Sequence, residues 1–316
     1  MRALILVLGL LLAGGAAAQS VPARPVRIVI GMPPSSSIDL IARAVADGIT
    51  QEGGRSVLVE NRTGAGGTIA SEAVARSVPD GHTLFIGGLD AIVFDFLMSN
   101  RRPFDPFKDF TPAGRLTRDH WILAASPALG VSSLAELVEL AKSKPGTLAY
   151  VSVGTGSSVH LMGERLRQGA GLDAIHVPYK ESYMPDLLSG RVSYVVHITA
   201  AVGPQIRAGK LKGLAVFSRQ RIAYLPDVPS IVELGLPDLV YNAGLVVYAP
   251  GATPRETIVE LNRSLNRALS REAVRQRFAE LGVDATPGTV EEAAKYVAEN
   301  MARQERMRKL VFARTQ

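Results

Sequence analysis

Val26-Arg27-Ile28-Val29-Ile30-Gly31-Met32-Pro33-Pro34-Ser35-Ser36-Ser37 opens as an apolar strand, breaks at a glycine and two prolines, and ends in three serines. The stretch that follows, Asp39 to Ile49, places Leu40, Ile41, Ala44 and Val45 on one helical face. The other half of the chain repeats the design. Leu148-Ala149-Tyr150-Val151-Ser152-Val153 is a strand, Gly154-Thr155-Gly156-Ser157-Ser158 a small-residue loop, and a helix runs on through about Gln168. Strand, loop and helix units of this length predict an α/β fold, with mostly parallel sheets covered by helices on both faces. Two such units in separate halves predict two lobes.

The rest of the chain fits that plan. Val57-Leu58-Val59 is a second strand, followed by the glycine turn Gly64-Ala65-Gly66-Gly67 and a helix from Thr68 to Arg76. Thr83 to Ile86 is a third strand. Further strands are predicted at Trp121 to Ala125, Ile175 to Val177, Val192 to His197, Leu211 to Phe217 and Gly244 to Tyr248, with a helix at Leu134 to Lys142. The last stretch reads as three helices, Pro254 to Leu269, Arg271 to Leu281 and Val290 to about Val311. Thr253-Pro254 and Thr289-Val290-Glu291-Glu292 are good helix starts.

The N-terminus predicts export. Met1-Arg2, an apolar run from Ala3 to Leu12 and the Ala16-Ala17-Ala18 end have the form of a secretory signal peptide over residues 1–18, cleaved ahead of Gln19. The run is too short for a membrane helix, and no later segment approaches 18 consecutive apolar residues. The sequence has no cysteine, so neither a lipid-modified N-terminal Cys nor a disulfide framework is available. A hydrophobic fraction of 47% suffices for packed cores in a chain of 316 residues. The net charge of +6 is dispersed, and the basic tail from Arg303 to Arg314 is interrupted by Glu305 and by apolar residues, so a nucleic-acid surface is not expected.

Catalytic and cofactor motifs are missing. The five histidines, at 82, 120, 160, 176 and 197, form no H-E-x-x-H and have no Cys partner, so neither a metal nor another cofactor is expected. Ser157 follows Gly156 directly, which breaks G-x-S-x-G. G-x-G-x-x-G fails in the glycine turn because its sixth position is Ile69. A hydrolase built on Ser157 or Ser158 with His160 is the weaker enzymatic alternative. The serine-rich loops are instead suited to binding. Each sets backbone N–H groups and hydroxyls at a helix N-terminus, where orphan donors and the helix dipole attract anions. Two of them after strand ends in different lobes predict a cleft that grips one ligand from both sides.

The same residues carry a family resemblance. Pro25 to Val29 with Pro33-Pro34 and Asp39, then Val59-Glu60-Asn61-Arg62 with Gly64 to Gly67, then Pro79-Asp80-Gly81-His82-Thr83-Leu84, resemble the Bug receptors, the solute-binding proteins of tripartite tricarboxylate transporters (TctC type). The likeness continues through Phe104-Asp105-Pro106, Lys108-Asp109-Phe110, Gly154 to Leu161, His176-Val177-Pro178-Tyr179-Lys180, Ala208 to Leu211 and Leu225 to Pro229. It implies a two-lobed periplasmic binding protein of type II, closing on a small carboxylate in a Venus-flytrap motion. On that plan lobe one is 19–120 plus 243–316 and lobe two 121–242, with hinge strands near 121–125 and 241–246. The expected molecule is a soluble, monomeric periplasmic receptor without catalytic residues that hands a small organic acid to membrane transporter subunits. A ligand sensor for a signalling partner is the alternative use of the same fold.

Expected ligand contacts are Pro34, Ser35, Ser36, Ser37, Asp39, Gly88, Asp90, Gly154, Thr155, Gly156, Ser157, Ser158, His160, Tyr179 and His197. Several positions depart from the family pattern. Three serines stand where glycines are usual, and the segment after Lys180 is about two residues shorter. His197-Ile198 replaces a frequent Asp-Asn pair. Asp90 would repel a second carboxylate, while a protonated His197 would attract one. The departures point away from simple dicarboxylates.

Overall fold

The computed structural model describes residues 24–53, 56–64, 67–89, 92–93, 103–155, 157–241 and 243–312. The expected signal peptide lies outside them, as do Asp90 and Gly156. Nine α-helices and twelve strands are described, and the strands form two five-stranded sheets and one two-stranded ribbon.

The first sheet contains β1 (Val26–Ile30), β2 (Val57–Asn61), β3 (Thr83–Gly87), β4 (Phe110–Arg115) and β11 (Val246–Pro250), in the order β2-β1-β3-β11-β4. The second contains β6 (Trp121–Ala125), β7 (Leu148–Ser152), β8 (Ala174–Pro178), β9 (Tyr194–Ile198) and β10 (Lys212–Val216), in the order β10-β6-β9-β7-β8. Four strands of each sheet point the same way. The reversed ones are β11, antiparallel to β3 and β4, and β6, antiparallel to β9 and β10. Each reversed strand is the first its sheet receives after the chain crosses from the other.

Alternation along β1 and β3 explains the layers. Ile28, Ile30, Leu84 and Ile86 point into one core, shared with Ile41 and Val45 of α1 (Ser37–Gly53), Leu265 of α7 (Arg255–Ser270) and Phe278 of α8 (Glu272–Glu280). Val29 and Phe85 point to the other face and meet Val74 of α2 (Thr68–Ala75) and Tyr296 of α9 (Val290–Phe312). A sheet covered on both faces needs near-continuous apolar strands, which is how these segments read. The second sheet has its own core, drawn entirely from residues 121–241 and including α3 (Leu134–Ser143), α4 (Ser158–Ala170), α5 (Met184–Ser189) and α6 (Thr199–Arg207).

Three strands escaped the sequence reading. Pro112 and Gly114 sit inside β4, where proline is tolerated because the strand lies at the sheet edge and its pairing with β11 shifts register at Val247/Tyr248. Asn262 of α7 donates to the Ala113 carbonyl at 2.8 Å and pins this strand. The other two are short, β5 (Thr117–Asp119) and β12 (Val283–Ala285), and pair with each other. The helices α5 and α6 were also missed, the latter because Pro204 lies inside it.

The chain crosses between sheets over 116–120 and again over 241–245. The crossings are laced together: Leu116 donates to the Leu245 carbonyl at 2.8 Å and Asp119 to Ala243 at 3.0 Å. The Leu245 N–H reaches Thr117 Oγ1 at 2.8 Å. A Cβ on Gly244 would lie 1.9 Å from the Thr117 carbonyl oxygen, so only glycine permits this approach. Trp121–Ala125 is therefore an interior strand of the second sheet, with the first crossing just ahead of it rather than within it.

Candidate functional site

A cleft of about 860 Å³ opens between the two sheets at the C-terminal ends of β1, β3, β7 and β9. Open α/β sheets place ligands at such strand ends. On the first-sheet side it is lined by Gly31 to Pro33, Ser35 to Ile38 and Gly88-Leu89. The facing wall carries Val153-Gly154, Ser157 to Val159, Ser182 to Met184 and His197-Ile198. The crossing segments form its floor, with Asp119, Trp121, Tyr241 and Gly244. The N-termini of α1 and α4 both reach the cleft, so backbone N–H donors approach it from either side.

The serine loop is built from beneath. Asp39 is buried, and its carboxylate accepts from the Ser35 N–H at 2.9 Å, from Arg43 Nε at 3.0 Å and from Asn61 Nδ2 at 2.9 Å. Burial opposes ionisation there, but these hydrogen bonds and the Arg43 charge outweigh it and hold the carboxyl below its ordinary value. Asn61 also donates to the Met32 carbonyl, fastening the loop to β2. Ser35 takes φ 64, the left-handed region, a conformation that carries strain for a residue with a Cβ. The Ser35 hydroxyl is thus present despite the backbone it must adopt.

The glycine turn has a packing role. A Cβ on Gly31 would lie 2.4 Å from the Gly67 Cα, so the loops after β1 and β2 touch backbone to backbone. Gly67 itself has φ 101. Gly31→Ala is expected to cost about 1–3 kcal/mol, since both loops must move. Urea unfolding of the variant checks this, and an unchanged midpoint would mean that the loops do not meet.

In the facing wall, Ser157 caps α4. Its Oγ donates to the Gly154 carbonyl at 2.7 Å and accepts from the His160 N–H at 3.3 Å. Gly154 has φ 128, which permits the turn. Ser152 Oγ accepts from the Gly154 N–H at 3.1 Å and lies 2.7 Å from His176 Nε2. Behind the loop the rings of His160 and His176 stack with centroids 3.9 Å apart, and Tyr150 lies 5.0 Å from His176. Desolvation lowers the pKa of both imidazoles, that of His176 to about 4, so both are neutral near pH 7.

His197 lies deep in the cleft, stacked on Trp121 at 5.9 Å and flanked by Tyr183. Tyr241 meets Trp121 edge-on at 5.2 Å. Burial lowers the His197 pKa to about 4. Its Nδ1 accepts the Ile198 N–H at 2.8 Å, which fixes the neutral tautomer with the proton on Nε2. At neutral pH His197 is thus an uncharged N–H donor and not the imidazolium that would attract an acid by charge. Asp119 is the one charged side chain on the described lining, and it accepts from Thr117 Oγ1 at 2.6 Å.

Of the expected contacts, Ser35, Ser36, Ser37, Gly88, Gly154, Ser157, Ser158 and His197 line the cleft. Five do not. The Asp39 carboxylate is committed to the loop beneath, and Pro34 and Thr155 are exposed, each in its own loop. The His160 ring stacks on His176, and the Tyr179 hydroxyl donates to Asp186 at 2.6 Å. Ser157 Oγ is engaged by the His160 backbone N–H and the Gly154 carbonyl, the contacts of a helix cap. Sequence reasoning missed Trp121, Tyr183 and Tyr241, together with Tyr296 and Asn300 of α9. Aromatic residues far apart in sequence give no local signal of a shared floor. Among the described residues, no group of acids and histidines is arranged to hold a metal ion.

Two α/β bodies joined by two crossings around a cleft define a two-domain solute-binding protein. The sequence model described as the tripartite tricarboxylate transporter family receptor matches residues 41–311, and the chain belongs to that family. Protein BugT of Bordetella pertussis is 34% identical over 313 residues, covering 96% of this chain and 95% of BugT. An R. palustris protein solved with adipate superposes with a TM-score of 0.84 at 30% identity, covering 92% of this chain and 97% of that one. MatC from Rhodopseudomonas palustris with bound malate gives 0.80 at 29% identity, covering 91% and 99%. No helix among the described residues is long and apolar enough to cross a membrane.

Proposed function

We propose that the chain is an exported periplasmic receptor, cleaved near Gln19, which captures a small organic acid and delivers it to a tripartite tricarboxylate-type transporter. Its lobes would be 19–120 plus 243–316 and 121–242, closing by bending at the crossings. The observation that carries this reading is the pair of helix N-termini, α1 and α4, facing one cleft from opposite sides. With no cation on the described lining, a carboxylate would be held by backbone N–H groups, by the hydroxyls of Ser35 to Ser37, Ser157 and Ser158, and by His197 Nε2–H. The carboxylate-bound relatives support the ligand class. Membership of a family of solute-binding receptors supports a receptor without catalysis.

The test is a thermal-shift panel of mono-, di- and aromatic carboxylates, including adipate and malate, on the mature protein. An acid at 100 times its dissociation constant stabilises by about 2.7 kcal/mol. The same acid is expected to reduce the radius of gyration in solution scattering, because it favours the closed state by its differential affinity. No stabilising acid in the panel, or a saturating acid that leaves the radius unchanged, would overturn the proposal.

A further inference from the structure

A second depression, of about 910 Å³, lies behind the crossing strands. The groove backs onto the cleft, with Asp119 and Tyr241 bordering both. Trp121 faces the cleft, whereas Arg118 and His120 face the rear groove. One wall is made by Ala279, Gly282, Val283 and Asp284, the other by Arg207 of α6 and residues 218–224 after β10. The walls touch at Gly282, where an added Cβ would stand 3.0 Å from the Tyr224 ring, so that ring packs on the glycine.

Four arginines line this groove. Arg221 is engaged by Glu233 at 2.9 Å. The Arg207 guanidinium lies over the Tyr224 ring at 5.0 Å, which restricts its position without neutralising it. Among the described residues, Arg118, Arg207 and Arg219 make no ion pair. Two acids face the same space. Asp284 is hydrogen-bonded by His120 Nε2 at 3.0 Å, and Asp119 is buried against Thr117. Positive charge is therefore in excess, drawn from one wall and the crossing strand. Planar guanidinium forks suit oxyanions, which accept paired N–H donors.

We propose that the rear groove is a second binding site, for a small free oxyanion carrying at least two negative charges, separate from the carboxylate cleft. Arg118, Arg207 and Arg219 would hold it, with Arg221 alongside. The site does not depend on the identity of the cleft ligand.

The experiment uses inorganic pyrophosphate as the probe, titrated calorimetrically into the mature protein at low ionic strength, with chloride at matched ionic strength as control. Saturable binding of one equivalent is expected. Affinity should fall about tenfold or more in the double variant Arg118→Gln/Arg207→Gln and detectably in Arg219→Gln, since each loses charge-assisted donors. Ser157→Trp, which blocks the cleft, should leave it unchanged. Absence of saturable binding, or undiminished binding by the arginine variants, would overturn the proposal. Loss of pyrophosphate binding in Ser157→Trp alone would also overturn it, by placing the anion in the cleft.

Discussion

Lowering the pH from 7.5 to 4.5 is expected to remove several kcal/mol of folding stability, with histidines as the cause. His176 and His197 have pKa values pushed down to about 4, and that of His160 is also lowered; desolvation is the leading cause in each. A second imidazolium 3.9 Å from His176 would add like-charge repulsion, which the neighbouring Glu164 only partly offsets. The sign follows from which state binds protons first. An unfolded histidine titrates near 6.5, so between that value and about 4 the unfolded chain takes up protons that the folded one refuses. The stabilisation is whole above about pH 6.5 and is lost as the pH falls towards 4. At about 1.4 kcal/mol per pH unit, His197 accounts for about 2 kcal/mol after allowance for its edge on the cleft. The carboxyls of Asp39 and Glu164 are lowered, so their contribution persists in this window and fails only at more acid pH. Urea midpoints at pH 7.5, 6.0 and 4.5 measure the slope, which His176→Gln should flatten. A wild-type midpoint that does not move between pH 7.5 and 5 would refute the assignment.

Ser157→Trp is expected to abolish carboxylate capture, weakening it by at least about tenfold. The residue stands at the mouth of the α4 N-terminus, where an indole would cover the donors that an acid must reach. Ser157→Ala is the contrasting variant. It removes a helix cap, costing about 1 kcal/mol of stability, and a hydroxyl worth about 0.5–1.5 kcal/mol of binding, or up to about 3 to a full negative charge. Calorimetry with the most stabilising acid of the panel separates the two effects. If the tryptophan variant binds as well as the parent, the loop serves only to start the helix.

The parts of the molecule legible in the sequence are those set by local chemistry. Val26 to Ile30 and Thr83 to Ile86 announce strands because both faces are buried. The serine and glycine loops announce themselves because few other residues permit such turns. β4 was hidden by Pro112 and Gly114, whose placement makes sense only once the strand is known to be an edge. Asp39 reads as a ligand contact because it sits beside the loop, yet its carboxylate is taken by Arg43 one turn along α1 and by Asn61, which only the return of β2 brings to it. The stacking of His160 on His176, and of His197 on Trp121, joins residues on different elements. No spacing rule reports such a contact.

The reversed strand in each sheet also sets an order of assembly. The second sheet is complete once residue 216 has been made, because all five of its strands lie between 121 and 216. The first sheet waits for Val246–Pro250, which slots between β3 and β4. Until then those two strands face each other across a gap, each with a row of unpaired backbone groups, the kind of edge that invites pairing with another chain. The body that begins the polypeptide is thus the last to close.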